Sequence, residues 1–93
     1  DGTRTATAAK AQFMIAESFT TQKKYSEAAA AYSRVYILYK HPVWQEPARY
    51  QMAICYQALG AKQQAISTFE KFLKEFPEST YRADAEKRLQ ALR

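Results

Sequence analysis

Ala48-Arg49-Tyr50-Gln51-Met52-Ala53-Ile54-Cys55-Tyr56, followed by Ala65 and Phe69, is the stretch on which the fold turns. Its apolar residues return at three- and four-residue intervals, the period of a helix with one buried face. Moved back by 37 residues, it falls on Phe13, Ile15, Ala16, Phe19, Ala28 and Tyr32, which match Tyr50, Met52, Ala53, Tyr56, Ala65 and Phe69 without a gap. Moved forward by the same step, Ala48 meets Ala85 and Met52 meets Leu89. An ungapped internal period of this length is the mark of stacked helical hairpins.

Working outward, the same periodicity predicts helices over 8–19, 25–39, 48–59, 61–76 and 81–92. Lys23-Lys24 interrupts the first apolar stripe, His41-Pro42 and Phe76-Pro77 stop the second and fourth helices, and Gly60 suits a left-handed C-cap. Ser79 is expected to cap the fifth helix. Pro47 is tolerable if the third helix starts near Val43, because the first turn needs no backbone donor. With 47% hydrophobic and 14% aromatic residues, the chain has the apolar area to fold rather than stay disordered.

The residues resemble the tetratricopeptide repeat, whose pattern is W-x2-L-G-x2-Y, then A-x3-F, then P. Gln12, Ile15, Ala16, Phe19, Ala28 and Tyr32 carry it in the first unit. Arg49, Met52, Ala53, Tyr56, Ala65, Phe69 and Pro77 carry it in the second. Both units lack the first tryptophan, and alanine stands for the glycine. The family period is 34, so each unit here has three additional residues between hairpins. The resemblance implies an all-α, right-handed superhelix of two hairpins and a C-terminal lid helix, one domain over 1–93. Its repeats cover about 8–42 and 43–78, and its lid about 79–93. The junction Phe76-Pro77-Glu78-Ser79-Thr80-Tyr81 with Ala85 is similar to repeats of bacterial cell-envelope proteins, such as the Tol-Pal coordination protein and the outer-membrane assembly lipoprotein. That likeness implies a periplasmic or envelope location. Lys40 and Pro42 depart from it at the first junction. The chain opens at Asp1 without methionine and closes inside a helical pattern, so it reads as a fragment of a longer protein.

In such stacks the first helix of each unit lines a concave groove. Counted from the motif alanines, the groove residues are Glu17 and Thr20, then Tyr50, Ile54 and Gln57, with Lys87 from the lid. Tyr50 and Ile54 are expected to be exposed one turn apart and to receive an apolar side chain, while Glu17, Gln57 and Lys87 bind backbone or charge. Phe13 occupies the matching position in the first unit, where the alternative is plain interhelix packing.

The expected partner is therefore a protein or peptide segment. The rival reading is homo-oligomerisation through stack ends exposing Phe13, Met14, Leu89 and Leu92. A third is an accessory domain of an enzyme whose active site lies elsewhere. A net charge of +5 is scattered, and most of the seven tyrosines have packing duties, so nucleic acid is disfavoured as a partner. His41 stands alone in a loop, and Cys55 sits within an apolar stripe as a small buried hydrophobe. Asp84 and Glu86 share a charged helix, and Glu70 with Lys74 and Asp84 with Arg88 are spaced for surface ion pairs. The sequence offers no catalytic, metal-binding or cofactor-binding constellation. No apolar run is long enough to span a membrane.

Overall fold

A computed structural model describes residues 2–93, with side chains from residue 6. Among these residues there are five helices: α1 (Gly2–Thr21), α2 (Tyr25–Leu38), α3 (Pro42–Ala58), α4 (Lys62–Glu75) and α5 (Arg82–Leu92). Each helix packs on the next in sequence, and α1 also touches α3. The all-α arrangement of two hairpins closed by a fifth helix is the expected one. Extents of 42 × 30 × 17 Å describe a flat slab two helix layers thick.

The motif alanines explain the close approach. Ala16, Ala28, Ala53 and Ala65 are fully buried, and a methyl side chain lets neighbouring backbones come near. One core cluster joins α1, α2 and α3 around Tyr32, Val35 and Met52. The other joins α3, α4 and α5 around Tyr50, Phe69, Phe72 and Leu89. Tyr56 packs against both and welds the hairpins. Each fully buried phenylalanine contributes roughly 1.5–3 kcal/mol relative to exposure.

Both hairpins turn by the same device. Gly60 has φ +76°; its N–H bonds to the Gln57 carbonyl, and the Ala61 N–H bonds to that of Tyr56. These are the paired bonds of a Schellman cap. One repeat earlier, Lys23 adopts φ +61°, with its N–H on Thr20 and the Lys24 N–H on Phe19. The lysine thus takes the left-handed turn without a glycine's freedom.

Two local expectations are corrected. Pro47 lies past the first turn, because α3 already begins at Pro42 after His41, whose Nδ1 accepts from the Val43 N–H at 3.2 Å. Pro42 takes the first-turn role, and Pro47 removes the bond to the exposed Val43 carbonyl. Ser79 does not cap α5, whose N-cap is Tyr81. Its Oγ instead accepts from the Tyr81 N–H at 3.1 Å and donates to Glu46 at 3.1 Å, pinning the junction to α3.

Candidate functional site

The first helices α1, α3 and α5 carry the residues expected to line a groove. Glu17 and Lys87 are exposed, while Ile54 and Gln57 are half-buried. Thr20 is half-buried too; its hydroxyl donates to the Ala16 carbonyl at 3.0 Å and lies beside the Tyr32 hydroxyl and the Cys55 thiol. It therefore points toward the first core cluster.

Tyr50 is not exposed as expected, retaining only 7% of its surface. Its ring stacks on Tyr81 and meets Phe72 edge-on with centroids 5.5 Å apart. Helical spacing placed it on the correct flank of α3, but α5 closes over that flank. Phe13 repeats the pattern, with Tyr32 edge-on at 5.2 Å and Trp44 at 6.0 Å. Of the stack-end residues, Leu89 is buried and Leu92 half-buried, whereas Met14 is open to solvent.

A polar network now runs along this face. The Tyr50 hydroxyl donates to Asp84; Arg88 Nε donates to the same carboxylate at 2.7 Å, and its Nη1 donates to Gln57 Oε1 at 3.0 Å. Burial first, then Asp84, pushes the Tyr50 phenol up to about 12. The Tyr50 hydroxyl and then the Arg88 guanidinium hold the Asp84 carboxyl below its ordinary range. The spacing of Asp84 and Arg88 predicts their ion pair, but not that it reaches Tyr50 and Gln57. Their counterparts 37 residues earlier are Pro47 and Gln51, so the repeat carries no signal of it. Glu70, spaced to meet Lys74, instead bonds to Arg93 beyond α5.

A second cluster stands on the opposite flank of α3. The Arg49 guanidinium lies 4.0 Å over the Tyr36 ring and its Nε is 3.3 Å from Glu75 Oε1, while the Tyr36 hydroxyl also donates to Glu75. Arg49 occupies the sequence position of the motif's missing tryptophan, and its planar cation stacks on Tyr36. Beside it, Arg49, Met52, Tyr56, Gln64, Thr68 and Lys71 help line an open depression of about 370 Å³.

Cys55 is wholly buried, which pushes its thiol pKa up and away from nucleophilic use. Among the described residues no three His, Cys, Asp or Glu side chains come together as metal ligands, and no helix is long and apolar enough to cross a membrane.

Nested helical hairpins packed along a seam of buried alanines define a helical-repeat fold. The chain belongs to the tetratricopeptide repeat family, whose model matches residues 10–41 and 47–79. No curated protein and no solved structure matches it. Repeats of this family generally mediate protein–protein interaction and are generally non-catalytic.

Proposed function

We propose that the chain is a non-catalytic scaffold that binds an extended or helical segment of a partner protein along the flank formed by α1, α3 and α5. Glu17, Ile54, Gln57 and Lys87 make the contacts, with Tyr50 and Thr20 as the floor beneath them. The observation that carries this reading is the network tying Tyr50 and Gln57 of α3 to Asp84 and Arg88 of α5. Half-buried Ile54 packs against the core cluster that contains Tyr50, and a surface ordered before binding loses less entropy when a partner arrives.

The test is selection of a displayed peptide library on the folded chain, followed by titration of the recovered peptides. Ile54→Asp and Lys87→Glu should weaken them at least tenfold, while Lys62→Glu, on the distant start of α4, should not. Peptides that bind all four proteins equally would remove the groove from consideration.

The Phe76-Pro77-Glu78-Ser79-Thr80-Tyr81 junction supports the narrower proposal of service in a bacterial cell-envelope complex. Ser79 anchors that junction to Glu46, which gives the motif a structural purpose in any compartment. Fractionation of the native protein decides the point, and recovery solely from cytoplasm would refute it.

A further inference from the structure

The internal repeat supplies a comparison that isolates one surface. On α3, Ala48, Met52 and Cys55 are buried in the cluster built with α2. On α5, Ala85 and Leu89 are likewise buried in the cluster built with α4. The matching residues of α1 are Ala11, Ile15 and Ser18, all exposed, with Ile15 at 46% although it is a motif position. This stripe has the shape that receives a helix twice elsewhere in the chain. Beside it Met14 is 56% exposed, where the counterparts on α3 and α5 are Gln51 and Arg88. The fold therefore does not demand an apolar residue there.

We propose that this face of α1 docks a second copy of the chain, α1 against α1 in antiparallel order. Two observations select that occupant. Head-to-tail stacking would need an apolar outer face on α5, but its exposed residues include Arg82, Glu86, Lys87 and Gln90. The α1 flank, in contrast, is complementary to itself. Lys10 and Glu17 are both exposed and lie two helical turns apart on one side of the stripe. Antiparallel helices bring like flanks together. When Met14 of each copy seats against the small Ala11 of the other, Lys10 of each copy comes opposite Glu17 of the other. Large residues then meet small ones along the seam, and both charges are matched twice by symmetry.

Sedimentation equilibrium over a concentration series tests this, with far-UV circular dichroism and thermal melting to confirm that each variant is folded. The native chain should dimerise. Met14→Glu should be a folded monomer. Lys10→Glu sets like charges opposite each other at two places and should weaken the dimer by about tenfold. The double reversal Lys10→Glu with Glu17→Lys should restore it. A native chain that stays monomeric at its solubility limit overturns the proposal, as does a dimer that Lys10→Glu leaves unchanged or the double reversal fails to rescue. Because the readout is oligomeric state, the result is independent of whether Glu17 also meets a partner peptide.

Discussion

The ring of Tyr50 on α3 lies face to face with that of Tyr81, the N-cap of α5, with centroids 4.4 Å apart and planes 11° from parallel. The matching pair one repeat earlier, Phe13 and Trp44, is tilted instead, at 6.0 Å and 51°. Each aromatic of a first helix thus leans on an aromatic at the start of the next first helix. The second contact holds the closing helix in place.

Removing that ring should be costly. Tyr50→Ala leaves a cavity among Phe72, Tyr81 and Leu89 and is expected to destabilise the chain by about 3–5 kcal/mol, enough to release α5 or unfold the domain. Tyr50→Phe keeps the stack and loses only the bond to a partly exposed Asp84, costing about 1 kcal/mol. Urea titration of both variants measures the contrast; equal losses would show that the hydroxyl, rather than the stack, holds the helix.

Tyr50 and Asp84 should make stability depend on pH at opposite ends. The folded chain holds the Tyr50 proton more tightly, because its pKa is raised from 10.0 to about 12. That contribution is intact below pH 10 and is lost as pH rises toward 12. Asp84 has its pKa lowered from 3.8, so its contribution is present above that value and lost as pH falls through the folded one. Tyr50→Phe should flatten the alkaline limb of a stability profile and Asp84→Asn the acid limb. Unchanged limbs would mean that the pair is not formed in solution.

The two Schellman turns invite an exchange of residues. Lys23→Gly relieves a left-handed backbone conformation and should stabilise the chain by about 1 kcal/mol. Gly60→Ala should cost a similar amount. Beyond Gly60 and its chain neighbours, no heavy atom lies within 4 Å of a Cβ built there, so the penalty is conformational rather than steric. Melting temperatures moving in the same direction would disprove the common geometry.

Arg49 should resist conservative replacement. Its guanidinium lies flat over Tyr36 beside Glu75, and a lysine can supply charge but no stacking plane. Arg49→Lys is expected to lose about 1 kcal/mol by chemical denaturation. A neutral result would reduce the cluster to surface decoration.

Much of this was legible along the chain. The spacing of Ala16, Ala28, Ala53 and Ala65 foretold the seam, and their complete burial follows from it. The left-handed turn at Gly60 was equally plain, because glycine alone adopts that conformation without cost. Lys23 gave no such signal, since its residue type opposes the turn that its surroundings impose.

The amino-acid order by itself determined the helices, their pairing and the family, because each depends on residues a few positions apart or on a period repeated along one chain. Tertiary structure alone decided that Tyr50 is covered, that Asp84 and Arg88 reach across to it, and that Ile15 is left in solvent. Helical spacing assigns a side chain to a flank, but only the crossing of a neighbouring helix determines whether that flank is closed. At α5 the neighbour does not repeat the polar pattern of earlier first helices, and before α1 the described residues place no helix over the outer face.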